Sequence, residues 1–354
     1  MPSLSLGASG ALSRFNGTTN KTFAFPLTAT WQSNIFGQSA TRKRRAEAQL
    51  AMQRDFNQAV QAQLAAHIAS TYYQLVMLDR QLEILQQTEK VWEESLESMR
   101  TLYEAGLYQS PAVWQMEASL AEVRISIVEL KDNIATTEGA LCLLLAEPPH
   151  PIRRMAYSAY TMPEHLRVGI PLRLLSARPD VRQAEQHLAA AFYDTQQAQQ
   201  AFYPDLTLSA TLGWTNADGA VNPAKLLGEA VASLTQPIFA KGKLRAQLKN
   251  AQLNQEKARL QFVQTLLKAG NEVNEYLYDC HKAREKAVHI AYRVKALHEA
   301  YIGTRELMNN GTNTYLEVLT SQEKLLNARL SEVENQYEGV LALINLYTAL
   351  GGFF

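Results

Sequence analysis

Residues 203–214 read Tyr-Pro-Asp-Leu-Thr-Leu-Ser-Ala-Thr-Leu-Gly-Trp, and they follow an Ala- and Gln-rich segment that opens with Arg178-Pro-Asp-Val181. Residues 178–202 are predicted to form a helix. The helix is expected to end before Pro204, which disfavours helical backbone angles and is followed by an extended strand. From Leu206 onward, apolar residues alternate with Thr, Ser and Gly, so one strand face is apolar and the other carries hydroxyl groups. Such a strand suits either a soluble sandwich or a sheet between lipid and water.

The start of the chain carries a second copy of this pattern. Apolar residues alternate with Ser and Gly from Leu4 to Leu12, and a second alternating strand runs from Phe23 to Trp31. The copies align at separations of about 202 to 205 residues, which pairs Gly106 with Gly311 and Arg124 with Arg329. Each copy is therefore predicted to contain two strands.

Two details of these strands are also predicted. Pro26 cannot donate a ladder hydrogen bond, so an edge, a bulge or a subunit junction is expected there rather than the centre of a sheet. After a Gly/Asn/Asp turn at 216–222, a weakly alternating strand is expected to extend to Ile238-Phe239.

Long helices follow the strands in both copies. Helical periodicity runs for about 65 residues from Ser39 to Ala105, which is close to 100 Å at 1.5 Å per residue. The repeat runs from Gly242 to Asn309. In each copy a short turn leads into a return helix with apolar residues at coiled-coil spacing, so two antiparallel helical hairpins are expected.

These patterns divide the chain into seven segments. They are a first β-hairpin (1–38), a first long helical hairpin (39–146), a Pro-rich connector (147–177), a helix that opens the second repeat (178–202), a second β-hairpin (203–240), a second long helical hairpin (241–350) and a tail (351–354). The fold class is mainly α with a small β part.

The composition excludes several function classes. The 34 Lys and Arg residues balance 34 Asp and Glu residues, so no basic surface for nucleic acid is indicated. Cys142 and Cys280 lie in helical patterns and are expected to be buried free thiols, and the His residues lack metal-ligand spacing. No catalytic residues, cofactor site or metal site are predicted, and an enzyme is not expected.

Four stretches of the sequence resemble a known protein family. They are Ala177-Arg-Pro-Asp-Val-Arg182, the Tyr-Pro-Asp-Leu-Thr-Leu strand, Ser233-Leu-Thr-Gln-Pro-Ile-Phe239 and Asn310-Gly-Thr-Asn-Thr-Tyr-Leu-Glu-Val-Leu319. Together they resemble the TolC-like outer-membrane efflux proteins of the lipoprotein-type branch, over essentially the whole chain. The resemblance implies a homotrimer in which four strands per chain form a 12-stranded membrane β-barrel and the helical hairpins form an α-barrel through the periplasm.

The resemblance also implies function, partners and location. The expected protein is a passive duct in the outer membrane of a Gram-negative bacterium, served by a periplasmic adaptor and an inner-membrane transporter, and exporting drugs and other toxic small molecules. Type I protein secretion and metal-ion efflux remain alternatives, as does a soluble coiled-coil scaffold from a different class. In the family, a helix, an export signal and often a lipid-bearing cysteine precede the first strand, so the chain is expected to be shortened at its front.

Site residues follow from the same resemblance. The hairpin turns are expected to meet the adaptor at the periplasmic tip, through Gly106, Leu107, Ser110, Gly311, Thr312, Asn313 and Thr314. Glu317 and Thr320 stand where the family narrows its channel, with Glu317 in an acidic ring. The polar ties that hold the TolC tip shut are replaced here, so another closure is expected; the positions concerned are Pro111, Ala112, Met308 and Asn313.

A membrane interface is predicted at both strand–helix junctions. The aromatic residues Trp31, Phe36, Trp214 and Phe239 are expected near the aromatic girdles of the barrel. Cations open both long helices, although the helix dipole disfavours them there, and they are expected to meet anionic lipid headgroups. These cations are Arg42, Lys43, Arg44, Arg45, Lys241 and Lys243.

Overall fold

The computed structural model describes residues 2–15, 18–33, 36–106, 109–155, 176–215, 225–309 and 315–352. Its contacts divide the chain into two compact units. One contains Met1–Arg54 with Arg182–Gln264, and the other contains Asp55–Val181 with Thr265–Phe354. Each unit therefore combines parts of both sequence copies.

Most of the described residues are helical. The helices are α1 (Gln38–Glu104), α2 (Ser110–Leu145), α3 (Pro179–Gln200), α4 (Lys243–Asn309) and α5 (Tyr315–Ala349). Helices α1 and α4 each contain 67 residues. Each starts after a glycine with a positive φ angle, which is +73° at Gly37 and +78° at Gly242. The mainly helical fold and its internal repeat are thereby confirmed.

Helices α1 and α2 pack along an apolar seam in the second unit. The buried residues of α2 recur at intervals of three and four, which places them on one helix face; they include Val113, Met116, Leu120, Val123, Ile127, Leu130 and Ile134. They join one core cluster with residues of α1 that follow the same spacing, among them Leu75, Leu78, Leu85, Trp92, Leu96 and Met99. Each fully buried Leu or Val contributes about 1.5 to 3 kcal/mol.

The first unit holds an antiparallel sheet. Its strands are β1 (Ser3–Leu6), β2 (Ser9–Phe15), β3 (Thr18–Ser33), β4 (Asp205–Thr215) and β5 (Lys225–Thr235). Strands β1 and β2 both pair with β3 and keep the same register, since Leu6 faces Leu27 and Ser9 faces Ala24. They act as one strand interrupted at two residues, so the sheet has four strand positions with β1/β2 and β5 at its edges.

The expectation that Pro26 avoids the centre of a sheet was wrong. Strand β3 has partners on both sides, and Pro26 faces Gly213 of β4. On the other side the Gly7 amide donates to the Pro26 carbonyl oxygen at 2.9 Å. A Cβ atom on Gly213 would lie 2.8 Å from Pro26 Cα, so only glycine fits there. Glycine on the neighbouring strand lets the sheet accept a central proline.

The two faces of the sheet differ as predicted. Residues that pair directly share a face, and the pairs Phe25–Trp214 and Trp31–Leu208 lie on the apolar one. The opposite face carries the Thr28–Thr211 pair, whose hydroxyl oxygens are 3.4 Å apart. The predicted extension of the last strand to Ile238-Phe239 was wrong, because β5 ends at Thr235, before Pro237, which has no amide hydrogen for the ladder.

Both cysteines are free and buried, as predicted. The described residues contain no group of three or more metal-binding side chains. Within the same residues, no helix has an apolar stretch long enough to cross a membrane.

The opening of α3 is fixed by a buried arginine in the second unit. The Arg178 guanidinium donates to both carboxylate oxygens of Asp180 at 2.8 and 3.0 Å, to Glu272 Oε2 at 2.7 Å and to the Ala349 carbonyl oxygen at 3.1 Å. Arg178 therefore connects the start of α3, the middle of α4 and the end of α5 through one side chain, since Glu272 lies within α4 and Ala349 ends α5.

Candidate functional site at the hairpin ends and strand–helix junctions

The first hairpin reverses after Gly106. Its φ angle of +73° lies in the left-handed region that favours glycine, and its amide donates to the Tyr103 carbonyl oxygen at 2.9 Å. Helix α2 then begins at Ser110 with a proline in its first turn, where a missing amide hydrogen costs nothing. Leu107 lies outside the described residues, so its predicted role is not placed.

The second hairpin returns through α5. The turn residues Gly311, Thr312, Asn313 and Thr314 lie outside the described residues. Glu317 is exposed in the first turn of α5, where the helix dipole favours a carboxylate. Thr320 is half-buried, and its hydroxyl group donates to the Leu316 carbonyl oxygen at 2.8 Å. The Thr320 hydroxyl group is thus used within its own helix. The exposed Glu317 carboxylate remains the group that can attract cations here.

A contact that sequence reasoning missed joins the two hairpins near these ends. The Tyr315 hydroxyl group donates to Met116 Sδ at 3.0 Å, and both side chains are almost fully buried. Burial raises the pKa of Tyr315, with a smaller contribution from the nearby Glu323 carboxylate. Ser119 also donates to Glu323 Oε1 at 3.4 Å. Tyr315 belongs to the apolar spacing of α5, but a single helix pattern does not reveal which helix it contacts.

The predicted interface aromatics are all substantially exposed. Trp31, Phe36, Trp214 and Phe239 are 47%, 42%, 56% and 84% exposed. In the strand register Trp31 and Trp214 are six residues apart, which is about 20 Å at 3.3 Å per residue and comparable to the apolar band of a membrane barrel. The Phe36 ring stacks on Tyr203 with centroids 5.0 Å apart. Part of the Phe36 ring therefore packs against Tyr203 within the first unit.

The basic residues at the start of α1 are not equivalent. Arg45 forms an ion pair with Asp194 of α3 at 2.5 Å. Lys43 lies 3.7 Å from Glu47 on its own helix, with both side chains well exposed. Among the described residues, Arg42 and Arg44 have no acidic partner within salt-bridge distance, and the same is true of Lys241 and Lys243. The charge that remains available to a ligand is therefore smaller than the sequence suggests, but it is present in both copies.

The chain is similar to several characterised proteins. It shares 24% identity with the cation efflux system protein CusC of Escherichia coli K12, over 95% of this chain and 74% of CusC. It shares 27% identity with the pyoverdine export outer membrane protein OpmQ of Pseudomonas aeruginosa, over 98% of this chain and 73% of OpmQ. A further relative, the solvent efflux pump outer membrane protein SrpC of Pseudomonas putida, is 26% identical over 92% of this chain.

Solved structures show the same fold. The crystal structure of CusC superposes with a TM-score of 0.93 and covers 100% of this chain and 84% of its own, at 23% identity. The outer membrane protein VceC from Vibrio cholerae gives a TM-score of 0.89, with 99% and 87% coverage and 24% identity.

The family of the chain is assigned by a match to a protein-family model. The model of the outer membrane efflux protein family matches residues 1–147 and 170–352, which is nearly the whole chain. These relatives are transport proteins and not enzymes, which agrees with the expectation from the sequence. The chain belongs to the outer membrane efflux protein family.

Proposed function

We propose that three copies of this chain form a passive duct that carries small toxic molecules out of a Gram-negative cell. In this duct the sheets of three copies close into a barrel in the outer membrane, and the helical hairpins enclose a tunnel in the periplasm. A periplasmic adaptor would meet the hairpin ends, and an inner-membrane transporter would supply the energy.

The observation that carries this proposal is the two-faced sheet with open edges. The apolar side chains of one face are strongly exposed, with Leu4 at 70%, Leu6 at 78% and Leu212 at 54%. Hydroxyl groups line the other face, so it suits water while the first suits lipid. Unpaired edges at β1/β2 and β5 cannot remain open in lipid, because each unpaired backbone group there costs several kcal/mol. Copies of the chain would satisfy both edges.

We propose small toxic molecules as the cargo of the duct. The relatives are named for cation efflux, pyoverdine export and solvent efflux at nearly equal identity, from 24% to 27%. A passive duct selects little by itself, since its inner transporter chooses the substrate. Small-molecule efflux is the function that we put forward, and metal-ion efflux is the second candidate because of the similarity to CusC.

Conductance of the purified protein in planar lipid bilayers tests the duct. We expect discrete conductance steps from the full-length protein reconstituted in its folded state. Heat-denatured protein at the same concentration is the control and should give none. A folded, membrane-inserted protein that never conducts under any applied voltage or salt gradient, and gives no conductance when its adaptor is added, would contradict the proposal.

A further inference from the structure

Two arginines of the first hairpin are neutralised by acids of the same hairpin. Arg124 on α2 binds Glu89 Oε1 at 2.9 Å and also binds Glu93, both on α1. Arg100 on α1 binds Glu117 Oε1 on α2 at 2.7 Å. Both guanidinium groups therefore have carboxylate partners across the hairpin.

The second hairpin keeps the arginines and lacks the acids. Helices α1 and α4 have the same length and are offset by 205 positions from Gln38 to Lys243, and Gly106 and Gly311 share this offset. Under the same offset the two arginines correspond to Arg329 and Arg305. The positions of Glu89, Glu93 and Glu117 are taken by Val294, His298 and Gln322.

These replacements leave polar groups unsatisfied. Among the described residues, neither Arg305 nor Arg329 has an acidic group within salt-bridge distance, and Arg329 is half-buried. Gln322 is only 5% exposed, and its Oε1 atom has no hydrogen-bond partner within the described part of the chain. The Nδ1 atom of His298 is also buried and has no hydrogen-bond partner among the described residues. A half-buried guanidinium with no anion is unfavourable unless something else supplies the charge.

The four side chains line one cavity of about 490 Å³ between α1, α4 and α5. Its apolar wall includes Trp92, Met99 and Leu325, all buried. Glu94 is the acid among the lining residues, and it is exposed at the α1 side. The cavity thus combines an apolar wall with an excess of positive charge, and its volume falls in the range of small-molecule sites.

Gln322 can take part in binding an anion. Its amide nitrogen lies 3.2 Å from the Tyr301 hydroxyl oxygen. Oxygen and nitrogen of a carboxamide exchange places on a 180° rotation with no change of shape. In the rotated state the oxygen accepts from Tyr301, and the amide nitrogen takes the position of the Oε1 atom, which has no hydrogen-bond partner in the described part of the chain.

We propose that this cavity binds a small organic anion, namely a carboxylate on an apolar body. The carboxylate takes the place of the missing acids and accepts hydrogen bonds from Arg329, Arg305, His298 and Gln322, while the apolar body lies against the Trp92 side of the cavity. Hydrogen bonds between guanidinium and carboxylate are charge-assisted and favour this class over neutral ligands. The site goes beyond the duct function, and neither proposal depends on the other.

Calorimetric titration of the assembled protein in lipid nanodiscs tests the site, with 2-naphthoate as the probe. We expect saturable binding with one site per chain. The neutral isostere naphthalene-2-carboxamide should bind at least about tenfold more weakly, because it cannot form charge-assisted bonds. Empty nanodiscs provide the baseline for partition into lipid. Absence of saturable 2-naphthoate binding, or equal binding of the carboxamide, would overturn the proposal.

Three variants locate the binding. The variant His298→Glu restores an acid at the position that corresponds to Glu93, so its own carboxylate should occupy Arg329 and weaken 2-naphthoate at least about tenfold. The variant Arg329→Gln should weaken it similarly. The variant Arg124→Gln removes the matching arginine of the first hairpin and should leave the affinity within about twofold.

Loss of the binding site must be distinguished from unfolding of the variants. His298→Glu is expected to add an ion pair with Arg329, so its unfolding temperature in the same nanodiscs should not fall below that of the wild type, and this measurement separates loss of binding from unfolding. Wild-type affinity in both His298→Glu and Arg329→Gln would overturn the proposal, as would an equal loss in Arg124→Gln. Conductance of the same preparations would report separately on the duct.

Discussion

Arg178 is a buried charged residue that joins three helices of the second unit. Its side chain is 8% exposed and faces two carboxylates and a helix-terminal carbonyl oxygen. Burial disfavours the charged form of Asp180, but the Arg178 guanidinium and the backbone amide groups that bind the carboxylate together hold the pKa of Asp180 below its ordinary value. The Asp180 carboxylate is therefore ionised and paired with Arg178 at neutral pH.

Replacement of Arg178 by Met should destabilise the protein. The variant leaves Asp180 and Glu272 without their partner, and because both are partly exposed the loss in free energy of unfolding should be about 2 kcal/mol, below that of a fully buried pair. Thermal unfolding followed by the helical circular-dichroism signal measures it. Arg259→Met, which removes an exposed ion pair with Glu256, is the control and should cost less than about 0.5 kcal/mol. Equal shifts in the two variants would contradict a stabilising role of the Arg178 cluster.

The same cluster predicts a pH dependence. Since the pKa of Asp180 in the folded state is below its ordinary value of 3.8, its contribution is full above that value and is lost as pH falls through the lower, folded-state pKa. The difference in unfolding temperature between wild type and Arg178→Met should therefore shrink as the pH is lowered from about 5 to about 3. A difference that stays constant over this range would show that the Asp180 carboxylate is not involved.

Glu317 is the residue to change in the proposed channel. Its exposed carboxylate in the first turn of α5 would form a ring of three in a trimer and favour cations. Glu317→Gln should lower the cation preference, measured as the reversal potential across a salt gradient. Glu122→Gln, an exposed acid within α2, is the matched control and should leave the reversal potential unchanged. If both variants behave like the wild type, Glu317 does not line the narrow part of the channel.

At the scale of elements, the close approach of β3 and β4 depends on one glycine. A Cβ atom at Gly213 would collide with the backbone of Phe25 and Pro26, and neither neighbour is the end of a flexible side chain. Gly228 on β5 has more room, since its nearest neighbour would be Leu212 Cδ1 at 3.9 Å. The two positions lie on adjacent strands, so they form a matched pair for substitution.

Gly213→Ala should weaken the sheet by about 1 to 3 kcal/mol, as expected for overpacking against a rigid backbone. Gly228→Ala should change stability by less than about 0.5 kcal/mol. The temperature at which the strand signal is lost, measured by infrared spectroscopy in detergent micelles, separates the two. Equal tolerance of both changes would show that β3 and β4 can move apart at Pro26 without cost.

The elements themselves were largely predictable from the sequence, and their partners were not. A strand period of two and a helical period near 3.5 are local properties, so the two-faced strands and the seam of α2 could be predicted from neighbouring residues. The position of Pro26 depends on Gly213, nearly two hundred residues away. The partners of Arg124 depend on the register between α1 and α2, which no single helix pattern specifies.

In the candidate site, too, local features were predictable from the sequence and long-range contacts were not. Gly106, Ser110 and the exposed aromatics could be singled out because turns and interfaces have local chemical signals. The Tyr315–Met116 contact and the cavity at Arg329 could not, because each arises where the two hairpins meet. Comparison of the two copies position by position would have revealed the missing acids, and such a comparison is the useful signal in a repeated chain.

For the whole molecule, the proposed duct requires association of identical chains. Within the described residues, one chain leaves an apolar sheet face exposed and two sheet edges unpaired, and it also exposes apolar side chains along its helices, such as Leu253 and Leu260 at 56% each. Patches of this kind mark surfaces for other proteins or for lipid. The proposed ring of chains would pair the sheet edges with each other and keep the apolar sheet face toward lipid.

The stoichiometry of the protein extracted from the outer membrane tests this claim most directly. Native mass spectrometry of the detergent-solubilised complex counts the chains without assuming a shape. We expect three copies of one chain, recovered from the membrane fraction and stable after removal of excess detergent. A monomer or dimer in that fraction, or recovery of the folded protein only from the aqueous fraction, would contradict it.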